Sequence, residues 1–368
     1  MSLRRVVVKC GTSTLTGGTK RLSSPRMVEL CKQLAALQAA GHEVVLVTSG
    51  AVAAGREKLG LSQTPKTVAA KQMLAAVGQP RLMAAYEQIF SIYGLTIAQV
   101  LLTRADFDDR HHYLNSRNTF EALIESRVIP VVNENDTVAT DEIRVGDNDN
   151  LSALVANLVD ADLLVLLTDQ AGLYTANPSS DPSAKLVERV LESEIPEALW
   201  KAAGGSSGNL GTGGMFTKLQ AADLARRSGT AVVIASGTEP DVLPRLVSGE
   251  KIGTWFAPVA TALESRKRYI LSGGRAPGAV RINAGAENAL RQGGSLLPVG
   301  ATGVEGLFER GDTVRVVNDA GREIARGIAN YGAVDLKKIA GKKSDEIEAV
   351  LGYVCGDEVV HRNDLVLI

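Results

Sequence analysis

The feature that most constrains this chain is an alternation of short, wholly apolar runs with longer stretches of helical spacing. Arg4 to Val8 is a β-branched run, Pro25 to Ala40 carries apolar residues at helical intervals, and Glu43 to Val47 is again continuous and apolar. The order then repeats, with helices near Ala69 to Phe90, Tyr113 to Ser126, Leu151 to Val159 and Phe216 to Arg227. Between them lie strands near Leu95 to Leu102, Val128 to Val132, Leu163 to Leu167 and Ala231 to Ala235. A strand apolar on both sides has to be covered on both faces, and a strand reached through a helix returns parallel. The expected fold class is therefore α/β, an open, mainly parallel sheet sandwiched by helices. In such sheets ligands bind where strand carboxyl ends meet helix N-termini, which places the chemistry in the loops after the strands.

The pattern changes after about Trp255, where short strands begin to alternate with glycine turns. Candidate strands are Ala279 to Ile282, Thr313 to Asn318, Glu323 to Ile328 and Val359 to Ile368, with a helix near Ser344 to Leu351. Residues 1–258 thus read as the catalytic domain, 259–275 as a linker and 276–368 as a small β-rich domain. A length of 368 residues agrees with two such units at ~150 residues per domain. Lys plus Arg number 40 and Asp plus Glu 41, a net charge of −1, and the 276–368 segment holds 11 basic against 13 acidic residues, a net −2. Neither unit has the cationic excess that grips nucleic acid or anionic lipid. The 3 cysteines, Cys10, Cys31 and Cys355, are scattered without CxxC spacing, which points to a reducing cytoplasm rather than a disulfide framework. His42, His111, His112 and His361 lack zinc-site spacing. Lys9 interrupts the first apolar run too early for a secretory leader, and Asp160, Asp162 and Asp169 break the most apolar region, so no membrane span is expected.

Six loop segments could carry chemistry. VVVKCGTSTLTGG ends a strand with Lys9 and opens a small-residue turn at Gly11, a geometry that can offer backbone N–H groups and an ammonium to phosphate. It is not GxxxxGK[ST], so P-loop chemistry is excluded, and an ordinary turn beside a lysine is the plainer reading. In VTSGAVAAG, Ser49 either caps the following helix or donates to a substrate carboxylate. Asn133 to Thr140 and Gly146 to Ala153 are dense in Asn and Asp, as turns are, yet together they suit a zwitterion with its ammonium on carboxylates. Asp149 could instead orient nearby lysines. LLTDQAGLYTANP places Thr168 and Asp169 before a proline-closed loop, with Tyr174 expected to pack inward. GTGGMFTK enters a helix carrying Lys218 on its first turn, where glycines, helix terminus and ammonium all favour phosphate.

In this order, VVVKCGTS, VTSGAVAAG, VVNENDTVAT, VGDNDNLSA, LLTDQAGLYTANP and GTGGMFTK resemble the amino-acid kinase family. SLLPVGATGVEGLFERGD and VLGYVCGDEVVHRNDLVLI resemble the PUA domain that many members carry. The likeness spans nearly the whole chain and is greatest to the branch that phosphorylates the side-chain carboxylate of L-glutamate at the start of proline biosynthesis. It implies ATP and Mg²⁺, the latter without assigned protein ligands. By the resemblance, Lys9 and Lys218 touch the transferring phosphoryl group and Asp149 holds both ammonium groups. Ser49, Asn133, Asp136, Asp147 and Asn148 surround glutamate. Lys9, Thr168, Asp169, Thr212, Gly213, Gly214, Met215, Phe216, Thr217 and Lys218 contact ATP. Cys10 and Phe216 fall where the family is expected to vary. Feedback inhibition by L-proline near Arg144 and a homo-oligomer built through the kinase domain are further implications. A glutamate carboxyl with a pKa of ~4.3 is already ionised at neutral pH, so no general base is needed, in keeping with the lack of a His or Cys constellation. Two other readings remain open at this point: a kinase of the same fold acting on another amino acid or on carbamate, and RNA binding through the PUA-like domain.

Overall fold

The computed structural model describes residues 3–19, 21–64, 67–139, 148–178, 180–204, 214–261, 270 and 276–368. Eight strands form the larger sheet: β1 (Arg5–Cys10), β2 (Glu43–Val47), β3 (Ile97–Leu102), β4 (Ile129–Glu134), β5 (Leu163–Thr168), β6 (Arg189–Val190), β7 (Ala231–Ser236) and β8 (Thr254–Phe256). Their order is β3-β4-β2-β1-β5-β7-β8-β6. All pairings from β3 through to β7 are parallel, β8 runs antiparallel to β7, and β6 is parallel to β8. This is the expected mainly parallel sheet. The central strands are legible because Val6, Val7, Val8 and Leu163 to Leu166 are wholly buried, each contributing about 1.5–3 kcal/mol by leaving water. β6 and β8, only 2 and 3 residues long, leave no such pattern.

The helices of this unit are α1 (Thr12–Thr16), α2 (Ser24–Ala39), α3 (Ala51–Lys58), α4 (Val68–Ile92), α5 (Arg104–Asp108), α6 (Arg110–Glu125), α7 (Asn148–Leu158), α8 (Glu197–Ala202), α9 (Met215–Arg227) and α10 (Val242–Val247). Where the sequence suggests a plain turn after Lys9, α1 forms instead. Its residues are poor helix formers, but Leu15 is fully buried and Gly17, at φ +60°, closes the turn. α3 and α4 cross at two glycines. A Cβ on Gly55 would lie 1.9 Å from the Leu74 carbonyl oxygen, and one on Gly78 would lie 1.8 Å from that of Ala51. This close approach sets where α4 stands beside the loop after β2.

Register levels the carboxyl ends of the strands. Lys9 pairs with Val47 and with Leu166, Val47 with Val132, and Thr168 with Ser236. Thr48, Asn133, Thr168 and the turn beyond Cys10 therefore share one rim of the sheet.

The remaining elements form a five-stranded sheet of β9 (Gly278–Ile282), β10 (Ala301–Gly306), β11 (Thr313–Val317), β12 (Glu323–Ile328) and β13 (Leu365–Leu367), ordered β10-β9-β11-β12-β13. With it go α11 (Ala284–Arg291), α12 (Ala333–Ile339) and α13 (Ile347–Leu351). The strand expected from Val359 to Ile368 is interrupted: Val359 and Val360 are buried and Val360 bridges Leu296, Arg362–Asp364 form a 3-10 turn, and only β13 joins the ladder. Burial alone makes such a run apolar whether or not it pairs. α11, absent from the elements expected above, is started by Asn283, whose side chain accepts from the Ala286 N–H at 2.8 Å. By compactness the chain divides into Met1–Asp108 with Asn115–Thr261, and Asp109–Leu114 with Ala262–Ile368. Among the described residues no helix is long and apolar enough to cross a membrane.

Candidate active site

Three charged side chains meet at the sheet rim. β1 delivers Lys9, the first turn of α7 delivers Asp149, and the first turn of α9 delivers Lys218. Lys9 Nζ lies 2.5 Å from Asp149 Oδ1 and Lys218 Nζ lies 3.3 Å from Asp149 Oδ2. The residues are 5%, 1% and 9% exposed for Lys9, Asp149 and Lys218. Burial by itself would raise the Asp149 pKa, but the two ammonium groups and a 2.7 Å hydrogen bond from Thr217 Oγ1 hold it below the usual carboxylate range. Burial pulls Lys218 below the ordinary lysine value, Asp149 opposes that, and neighbouring Lys9 adds to it. Among the described residues the two buried ammonium groups share one buried carboxylate, with Asp169 exposed beyond it, so the cluster carries more positive than negative charge out of water. Such a charge is costly out of water, and an incoming anion relieves it. The N-terminus of α9 adds its own preference for an anion.

Backbone geometry supports that cluster. Gly11 has its Cα so close to the first lysine that a Cβ there would lie 3.3 Å from Lys9 Nζ. Gly214 enters α9 at φ +141°, which side chains disfavour, and its carbonyl accepts from Thr217 Oγ1 at 3.0 Å and Lys218 Nζ at 3.4 Å.

Beside it runs a chain of amides. Asn148 Nδ2 faces three acceptors that share its two hydrogens, Ser49 Oγ at 2.8 Å, the Thr48 carbonyl at 3.0 Å and Asn133 Oδ1 at 3.1 Å. Asn133 Nδ2 donates to Gln79 Oε1 at 2.8 Å. Tyr86 and Thr48, both fully buried, share a 2.7 Å hydroxyl hydrogen bond beneath the loop. A cavity of about 270 Å³ opens nearby, lined by Gln79, Pro80, Gln99, Glu134 and Asp136 among others. Pro80 sits inside α4 and has no N–H to offer the Ala76 carbonyl, and both residues line this cavity.

Residues 4–236 match the amino acid kinase family, and residues 278–351 match the PUA domain. The chain belongs to the amino acid kinase family. Glutamate 5-kinase of Shewanella oneidensis is 56% identical over 369 residues, covering 100% of this chain and 99% of that protein. Glutamate 5-kinase of Photobacterium profundum is 56% identical over 364 residues, covering 99% and 96%. The crystal structure of UMP kinase from Bacillus anthracis covers 71% of this chain and 98% of its own at 15% identity, with a TM-score of 0.47.

Within this amino acid kinase, the structure brings Lys9, Asp149 and Lys218 together, and groups Ser49, Asn133 and Asn148. Ser49 does not cap α3, which starts from Gly50 at φ +107° without a side-chain cap; its hydroxyl accepts from Asn148 instead. Asp136 lines the cavity rather than joining the amide chain, and burial pushes its carboxyl up to about 6. Thr168 ends β5 and donates to Asp169 Oδ1 at 3.0 Å. Phe216 turns its ring edge toward Trp200, with centroids 5.6 Å apart. Met215 opens α9, while Tyr174 is half-buried and bridges Leu186. Thr212, Gly213, Asp147 and Arg144 lie outside the described residues. Sequence reasoning missed Gln79, Tyr86 and Trp200. Gln79 and Tyr86 sit in a long helix whose spacing reads as ordinary packing, Trp200 in a short helix without a buried residue, and only the tertiary contact distinguishes them. Among the described residues there is no group of three His, Cys, Asp or Glu side chains that would hold a metal ion.

Proposed function

We propose that this kinase transfers the γ-phosphoryl group of ATP to the side-chain carboxylate of L-glutamate, yielding L-glutamyl 5-phosphate at the head of proline biosynthesis. The observation that carries the reading is the buried cluster of Lys9, Asp149 and Lys218 with its excess positive charge. The two glutamate 5-kinases that match over almost their whole length support the choice of acid. A glutamate carboxylate oxygen attacks the γ-phosphorus while the bond to the β–γ bridging oxygen breaks and ADP leaves. The nucleophile is ionised at neutral pH, so the barrier is chiefly the approach of two anions. Lys9 and Lys218 neutralise the transferring group, and Asp149 keeps their ammonium groups apart and aimed. Ser49, Asn133 and Asn148 hold the acid, and Asp136 receives its ammonium. Thr168, Asp169 and the 212–218 loop receive the nucleotide.

Mg²⁺ fits this arrangement as an ion carried on the nucleotide's phosphates, because both Asp149 oxygens face ammonium groups and Mg²⁺ commonly takes few protein ligands. When bound, it shields phosphate charge. Inhibition by L-proline, a homo-oligomer and a cytoplasmic location accompany the reading. Incubation with ATP, Mg²⁺, L-glutamate and hydroxylamine is expected to trap the acyl phosphate as a hydroxamate, with EDTA or added L-proline lowering the yield. Hydroxamate from aspartate alone, or from no amino acid, would overturn the substrate assignment.

The raised Asp136 pKa supplies a pH test. Its ionised form is disfavoured in the folded chain, so the stability cost is absent below the ordinary 3.8, grows through the window up to about 6 and is complete above it. Asp136→Asn is therefore expected to raise the unfolding free energy at pH 7 by on the order of 2 kcal/mol, seen as a higher thermal midpoint, while raising the glutamate KM more than the ATP KM. In the wild type, glutamate affinity is expected to fall as pH drops through about 6. A variant less stable than wild type, or equal changes in both KM values, would point to a loop held up by Asp136 rather than an ammonium acceptor.

A further inference from the structure

Which way each amide in the chain faces can be deduced rather than assumed, because backbone groups pin both sides of it. The Glu134 N–H can only donate, and it points at Asn133 Oδ1 at 3.0 Å. Asn133 must therefore present its NH₂ to Gln79, which makes Gln79 Oε1 the acceptor at 2.8 Å. At the other end the Thr48 carbonyl can only accept, which makes the atom of Asn148 facing it the NH₂ nitrogen. That same nitrogen faces Ser49 Oγ at 2.8 Å and Asn133 Oδ1 at 3.1 Å. Ser49 is thus an acceptor toward Asn148, and its own hydroxyl hydrogen is left to donate elsewhere. An acceptor such as a carboxylate can take that hydrogen.

We propose that Gln79 is a positioning residue that satisfies the buried Asn133 NH₂ and so holds that side chain in place, where Asn148 engages Ser49 and the Ser49 hydroxyl donates to a carboxylate of the acid substrate. The proposal rests on the reading above that Ser49 and Asn133 face that acid. Asn133 is only 2% exposed, so losing the Gln79 acceptor strands its NH₂ out of water. Turning the amide over gives no relief, because its NH₂ would then confront the Glu134 N–H and the Asn148 NH₂, donor against donor. The far end of the chain is free to adjust: Gln79 Nε2 donates to Gln99 Oε1 at 3.1 Å, and Gln99 is exposed.

The test is a double-mutant cycle on steady-state kinetics, with Gln79→Met, Ser49→Ala and the pair. Gln79→Met keeps length and apolar stem but lacks the acceptor. It is expected to raise the glutamate KM about tenfold or more, with kcat and the ATP KM within about twofold, in line with an unsatisfied buried donor. Because both changes act on one contact, the pair is expected to be no worse than the poorer single variant. Gln79→Glu, made in parallel in case the methionine variant does not fold, keeps an acceptor for Asn133 while Gln99 turns its amide to donate. Its glutamate KM is expected below that of Gln79→Met, or closer to wild type than to Ser49→Ala if the methionine variant is lost. Effects that multiply in the pair, a Gln79→Glu enzyme as impaired as its comparison variant, or a parallel loss of kcat would overturn the proposal. Failure of the functional reading looks different: the wild type would then give no glutamyl hydroxamate at all.

Discussion

Replacing Lys218 with alanine is expected to lower kcat by about 10²–10³, the loss of ~2.7–4 kcal/mol typical of removing one electrostatic donor from a developing charge. The thermal midpoint should change far less, and the charge count explains why. Two ammonium groups share one buried carboxylate, so deleting Lys218 leaves Lys9 and Asp149 as a balanced pair at 2.5 Å. Lys218 is the member whose pKa burial lowers, which marks it as a charge held against the local dielectric. Removing it relieves that desolvation while taking away one of the two positive groups that receive the phosphoryl. Asp149→Ala gives the opposite balance, leaving two buried ammonium groups face to face, and should reduce stability and turnover together. Kinetics with thermal melts on both variants separates the cases. A Lys218→Ala enzyme with near wild-type turnover would remove that lysine from the chemistry.

The second large effect is steric. Gly78→Ala adds a methyl group whose carbon would sit 1.8 Å from the Ala51 carbonyl oxygen and 2.4 Å from the Gly55 nitrogen. Both are backbone atoms, so no rotamer change can make room and α3 must move off α4. Helix propensity favours alanine by about 1 kcal/mol. Overpacking a fitted contact costs ~1–3 kcal/mol where side chains can give, and more where only backbone can. The clash wins, and a net loss of about 2 kcal/mol or more is expected in urea unfolding. Ala51 begins α3 two residues after Ser49, and Gln79 follows Gly78 directly, so the glutamate KM should rise in the same variant. An unchanged or higher urea midpoint would mean that propensity alone governs this position and that the two helices do not meet at their glycines.

Much of the architecture was readable because burial writes itself into composition. Strands β1, β2, β4, β5 and β7 are apolar on both faces only because helices cover both, and a parallel sheet with loops at its carboxyl ends follows. The strands β6 and β8 and the helix α1 escaped, since runs of 2, 3 and 5 residues are too short to show a repeating face. The same division runs through the site. Lys9, Ser49, Asn133, Asp149 and Lys218 stand out as polar residues placed at ends of apolar strands or beside glycines. Gln79 and Tyr86 do not, being unremarkable occupants of a long helix.

From residue order alone one can derive a two-unit α/β chain, the loops where its chemistry resides, and the residue types available there. What order cannot supply is the meeting of residues far apart along the chain. That Asp149 stands between Lys9 and Lys218, and that Asn133 turns its oxygen toward Asn148 and its nitrogen toward Gln79, are outcomes of strand register and helix crossing. Periodicity reports which face of an element leaves water, whereas a hydrogen bond or ion pair depends on distances of about 3 Å that only the packed fold sets.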